Sequence, residues 1–124
     1  MIKLKRAYEA PDPADGTRYL VDRLWPRGRT KEALQIEAWL KDLSPSPELR
    51  RWFCHDPELW EQFQERYRQE LSDPAKGEAL ERLARQAGQG TVTLVYAAKD
   101  QERNNAQVLA LVLAQVLAAL PSAG

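Results

Sequence analysis

Cysteine and histidine occur once each in these 124 residues, side by side at Cys54 and His55. A lone cysteine closes no intrachain disulfide, and this pair leaves no cysteine-rich or multi-histidine ligand set, so no metal or other cofactor is expected. Glycine is sparse, at six residues, and none opens a phosphate-cradling nucleotide loop. Ser44 and Ser46 lack a nucleophile elbow. Long apolar runs are missing too: Ala106 to Leu120, the longest, contains Gln107 and Gln115 and is too short to cross a bilayer. The opening Met1 to Arg6 is basic but has neither the apolar segment nor the cleavage site of a secretory signal. Neither export nor membrane insertion is expected; a reducing, cytoplasmic setting is.

Net charge is absent as well, with 18 basic residues against 18 acidic. The balance conceals an asymmetry. Residues 1–31 carry eight Lys or Arg against four acids, and residues 32–90 carry eight against twelve. A local basic excess attracts phosphate or an acidic metabolite over about a Debye length. Scattered charges such as Lys3, Lys5 and Arg18 read as solvated surface. The length fits a single domain over residues 1–124, large enough to bury a core without staples.

What is present alternates between strand and helix patterns. Ile2 to Tyr8 alternates apolar with basic residues, predicting a strand exposed on one face, and a turn-rich stretch from Pro11 to Gly16 interrupts it. Tyr19 to Trp25 reads as a more buried strand ended by Pro26 and Gly28. Ile36 to Leu43 fits either a short helix or a third strand. Ser46-Pro47, Asp56-Pro57 and Asp73-Pro74 each place a capping side chain before a proline that needs no helical donor. Trp60, Phe63, Tyr67 and Leu71 then form one apolar stripe, and Leu80, Leu83, Ala84 and Ala87 repeat it before an expected stop at Gly88. Thr91 to Ala98 suits an interior strand. The apolar helix through Val108, Leu113 and Leu120 expects burial on more than one side, by sheet, helix or second subunit, so a homo-oligomer is compatible. Pro121 to Gly124 reads as a terminal exit.

This order predicts an α/β chain: a small three-layer fold with a mostly parallel sheet of about four strands flanked by helices. Ligands of such sheets lie at the carboxyl ends of the strands, where Arg23, Arg27, Lys99 and Asp100 fall.

At these residues the chain resembles the bacterial family called domain of unknown function 488, in its short, YeaO-like branch. The resemblance rests on Val21 to Gly28, on Pro45 to Phe53 with His55-Asp56-Pro57, and on Thr93 to Asp100 with Asn104-Asn105-Ala106. It covers nearly the whole chain. Longer members are similar in the strand containing Asp22 and in the closing strand and helix. They usually show a Cys-His-Arg run near Asn104-Asn105-Ala106. This chain lacks that run, so chemistry depending on its cysteine or histidine does not carry over. The family name implies no particular reaction.

The residues themselves suggest an anion-receptive crevice lined by Arg23, Arg27 and Lys99, with Asn104 or Asn105 closing one side. Arg27 offers a rigid fork for phosphate or carboxylate, and Gly28 permits close backbone approach. Asp22 fits a general base, or better an anchor holding Arg23, Arg27 or Lys99 by charge-assisted bonds. Asp100 would orient the site or cap the last helix. His55 is the proton carrier available near neutral pH, yet it lies far in sequence from both strand ends, and a structural hydrogen bond is the expected role. Cys54 is expected to be buried. Trp25, Trp39, Trp52 and Trp60 would serve stacking on single-stranded nucleic acid, but without a general basic excess they read as core. An enzyme acting on a small phosphate- or carboxylate-bearing compound leads the expected functions. A non-catalytic small-anion-binding protein follows, and then a nucleic-acid-binding one.

Overall fold

The computed structural model describes residues 1–121; the terminal exit beyond Pro121 lies outside the described residues. Four parallel strands form one sheet in the order β1-β4-β2-β3: β1 is Ile2–Arg6, β2 Thr17–Leu20, β3 Ala38–Trp39 and β4 Val92–Tyr96. Among the described residues five α-helices accompany them: α1 Lys31–Leu34, α2 Pro47–Phe53, α3 Trp60–Leu71, α4 Gly77–Gln89 and α5 Asn105–Ala119. The α/β fold class expected from the sequence is the one observed.

Central β4 is buried along its whole length, as continuous apolarity requires of a strand covered on both faces. Its side chains alternate between two unequal cores. Val92, Leu94 and Tyr96 join Phe63, Tyr67, Leu83, Leu109 and Leu113 in the main core beneath α2 to α5. Val95 turns the other way, into a small cluster with Ala7, Leu20 and Leu34. Over that second face lie the four-residue α1, the connection from β1 to β2 and the loops on either side of α1, through Trp25 and Ile36. The connection crosses the sheet without an α-helix.

Its crossing corrects one expectation. Lys3, Lys5 and Arg18 are not scattered solvated charges: Asp15, fully buried on the crossing segment, takes bonds from Lys3 Nζ at 3.2 Å, Lys5 Nζ at 3.2 Å and Arg18 Nη1 at 2.8 Å. Arg18 is itself only 4% exposed. Alternation in β1, with the register of β1 and β2 on either side of β4, puts these cations on one face, and the turn-rich 8–16 segment folds back to meet them. Burial opposes ionisation of Asp15. The Asp12 backbone N–H and the Lys5, Lys3 and Arg18 bonds outweigh it and hold the carboxyl at about 2.

All three capping pairs form. Ser46 accepts from Leu49 N, Asp56 from Glu58 N and Asp73 from Ala75 N, the last two opening 3-10 turns that run on into α3 and α4. Boundaries differ from expectation at β2 and α4, and the stretch left open between helix and strand is settled. The second strand stops at Leu20, because the backbone bends at Asp22 to Leu24. Ile36 to Leu43 holds both a two-residue strand and a 3-10 turn. Helix α4 runs through Gly88 and ends at Gly90: a Cβ at Gly88 would stand 3.1 Å from Leu117 Cδ1, so this glycine serves close packing against α5 and not termination.

Candidate functional site

Three segments converge where β2 and β4 end: the bend after β2, the loop after β4, and the end of α2. Between them lies a cavity of about 820 Å³, within the usual range for small-molecule sites. Helix α5 leaves β4 on the main-core face, and α1 leaves the β2 loop on the other. The two carboxyl ends therefore splay apart and open a crevice.

Asp22 knits this junction together. Its Oδ2 accepts from Ala97 N at 2.9 Å and its Oδ1 from Asn105 Nδ2 at 3.1 Å, while the same amide donates to Val21 O at 2.9 Å. Asp22 is thus an anchor, but for backbone and amide. None of the expected cations, Arg23, Arg27 or Lys99, bonds to it among the described residues. Burial pushes its carboxyl above the ordinary value, against the bonds from Ala97 and Asn105 and the charges of Arg50 and His55.

The sequence-predicted residues then divide by what occupies them. Arg23 donates through Nε to Pro45 O at 3.0 Å and through Nη2 to Lys41 O at 3.4 Å, tying the bend to the start of α2. Asn104, not Asp100, caps α5: its side chain accepts from Gln107 N at 3.1 Å and donates to Asp100 O at 2.9 Å. Asp100 instead closes the loop before the helix, accepting from Glu102 N, Arg103 N and Arg103 Nε. The backbone bond from Arg103, then that from Glu102, lowers its pKa.

Arg27 sits in a turn in which Arg29 N donates to Pro26 O at 3.3 Å, and Gly28 takes a φ of +78° that an L side chain rarely adopts. Tyr8 Oη donates to the Arg27 carbonyl at 3.0 Å, fixing this turn over the cavity. Nothing crowds Gly28, so backbone geometry and not space calls for glycine there. The Arg27 and Lys99 side chains are exposed. Neither pairs with an acid nor donates a hydrogen bond among the described residues.

Sequence reasoning missed the third wall. Arg50, Arg51, Cys54 and His55 all line the cavity, although α2 lies far along the chain from either strand end. Cys54 is exposed, contrary to expectation, and for a local reason. It ends α2 in the left-handed conformation, φ 43°, with its N–H bonded to Arg50 O at 2.9 Å, so it lies off the helix end and outside the core. His55 follows at φ 57° and makes no side-chain hydrogen bond among the described residues, so its expected structural bond is not found. Two successive non-glycine residues in this region are sparsely populated geometry, which clusters at functional sites. The signal was present in the Arg50-Arg51 pair and in His55, both inside the stretches that carry the family resemblance.

Five Arg or Lys and two acids line the cavity. Asp100 is engaged by Arg103 and both Asp22 oxygens are bonded, so among the described residues Arg27, Arg50, Arg51 and Lys99 face the space with no carboxylate in ion-pair contact. Among the described residues, no three His, Cys, Asp or Glu gather closely enough to hold a metal ion. No helix among them is long and apolar enough to cross a membrane.

The raised Asp22 pKa has a signed consequence. Its folded-state carboxyl holds its proton above the unfolded value of 3.8, so its contribution to stability falls as pH rises from there through the folded pKa. Urea unfolding of the parent and Asp22→Asn across mildly acidic pH should show a smaller downward slope in the variant. Equal slopes would mean that Asp22 ionises in the fold as freely as in the unfolded chain.

Among the described residues, a fully parallel sheet with a cation-lined cavity at the carboxyl ends of its central strands defines the class: a small open-sheet α/β protein with a crevice at its strand ends. The chain belongs to the DUF488 family, and the subclade whose description reads "Inactive DUF488-N3 subclade" matches residues 1–122. It is 44% identical over 112 residues to an uncharacterized protein of Mycobacterium tuberculosis strain H37Rv, covering 90% of this chain and 92% of that one. It is 41% identical over 109 residues to the uncharacterized protein YeaO of Escherichia coli strain K12, covering 88% and 93%. No solved structure matches the chain significantly.

Proposed function

We propose that this chain binds a small phosphate- or carboxylate-bearing compound in the cavity at the ends of β2 and β4, without transforming it. The observation that carries this reading is the set of four cationic side chains, Arg27, Arg50, Arg51 and Lys99, facing one cavity with no carboxylate in ion-pair contact with them among the described residues. Partial enclosure gives such charges more selectivity than open surface does. Binding without chemistry is favoured over an enzyme because both Asp22 oxygens are already engaged, and because the matching subclade is described as inactive. The enzymatic reading keeps one specific support, the raised pKa of Asp22 beside His55. Nucleic acid fits less well, since the cations gather in a cavity and not along a groove. The single exposed thiol, Cys54, suits a reducing compartment, and a cytoplasmic location is part of the proposal.

Calorimetry with a panel of phosphates and carboxylates, at matched salt and pH, tests the assignment. At least one compound should bind the parent, and Arg27→Ala and Lys99→Ala should each weaken it roughly tenfold, the scale of one partly screened charge-assisted bond. If no compound binds, or if both folded variants keep full affinity, the assignment fails.

A further inference from the structure

The cavity has a second chemical character that a bare anion would leave unused. Leu24 is 59% exposed and Tyr8 42% exposed, and both stand on its wall. Single exposed apolar side chains are ordinary, but two at one concave site, with Trp25 between the strand end and the Arg27 turn, form a lip that water covers poorly. Deeper in, Phe53 and Phe63 stack at 4.3 Å between centroids and also reach the cavity while otherwise buried.

The bend carrying Leu24 is held on both sides. Trp39 Nε1 donates to Asp22 O, Arg23 donates to Pro45 O, and Trp25 Nε1 donates to Arg29 O. A lip anchored in this way loses little freedom when a ligand packs against it. Leu24 and Arg27 lie on the same segment, so apolar and cationic surfaces adjoin along one wall.

Resting on the anion-binding reading, we infer that the natural ligand is amphipathic: an apolar body packed against the Leu24 lip and the Phe53 wall, with its phosphate or carboxylate toward Arg27 and Lys99. The volume of about 820 Å³ leaves ample room for a body of this kind beside the anionic group.

Two probe pairs, each with one head group, test this: methyl phosphate against phenyl phosphate, and acetate against phenylacetate, titrated calorimetrically into the parent, Leu24→Ser and Leu111→Ser. Leu111 is exposed on α5 away from the cavity and serves as the control. In at least one pair the phenyl member should bind the parent about tenfold more tightly, the scale expected of burying a ring against apolar surface. Leu24→Ser should narrow that gap severalfold and Leu111→Ser should keep it, with both variants melting as the parent does. Equal affinities within both pairs, or a gap untouched by Leu24→Ser, overturn the amphipathic assignment and leave the anion reading standing. Binding by none of the four overturns the amphipathic assignment, and the anion reading then falls only if the wider panel also fails to bind.

Discussion

Replacing Asp15 by Ala will lower the free energy of unfolding by about 3 to 5 kcal/mol, the cost of removing one partner from a buried ionic cluster. The side chain is fully buried and is the common acceptor for Lys3, Lys5 and Arg18. Lys3 and Lys5 reach solvent and will rehydrate. Arg18 is 4% exposed, and its Nη2 already lacks a partner among the described residues, so losing Asp15 strands a guanidinium beneath the sheet. Adding Arg18→Leu to the Asp15→Ala variant should therefore restore part of the stability, because most of the cost is the orphaned charge and not the missing bond. The parent has a matching acid response. With its pKa held near 2, below the unfolded value of 3.8, Asp15 stabilises the fold fully above the unfolded value and loses that contribution as pH falls through about 2. Urea unfolding of the parent and the two variants measures both effects. An Asp15→Ala variant within about 1 kcal/mol of the parent would show the cluster to be as weak as an exposed ion pair.

Gly16→Ala, one residue along, will cost roughly 3 kcal/mol or more, from a different cause. Gly16 holds φ +62° and ψ −134°, which suits glycine alone, and a Cβ there would stand 2.1 Å from the Thr91 carbonyl oxygen. That oxygen accepts the Thr17 N–H at 3.1 Å as β2 enters the sheet beside β4, so it cannot move without breaking the ladder. Gly28→Ala is the contrast. Its φ is also positive, but nothing lies within 4 Å of the added Cβ, so only the conformational cost of about 1 kcal/mol applies. If Gly16→Ala melts like Gly28→Ala, the crossing segment can shift away from β4, and its close seating on the sheet does not hold in solution.

Legibility of the fold followed the range of the interactions. The apolar run at β4 and the three cap-proline pairs were readable because a cap acts within three residues and a strand's burial is written along its own length. Asp100 and Asn104 mark the limit of such reading. Both suit an N-cap, and only the backbone path of 97–104 decides that Asn104 takes the position while Asp100 closes the preceding loop. Cys54 shows a second limit: the tendency of cysteine to be buried is a property of composition, and a left-handed residue at the end of α2 overrides it.

The candidate site divides along the same line. Asp22, Arg23, Arg27, Lys99 and Asp100 could be placed near one another from sequence alone, because residues just beyond parallel strands share one edge of the sheet. Alternation within β1 puts Lys3 and Lys5 on one face, whereas Arg18 joins them only through the register of β1 and β2 on either side of β4. The tertiary structure alone decided what those faces meet. It brought α2, with Arg50 and His55, against the ends of β2 and β4, and it folded Asp15 over the three cations. It also separated Arg23, consumed by the Pro45 and Lys41 carbonyls, from Arg27 and Lys99, which no carboxylate claims among the described residues. The physical reason is one of range. Periodicity and capping are set by neighbours a few residues away and are written in the chain, whereas the partner of a buried charge is set by whichever distant segment packs over it.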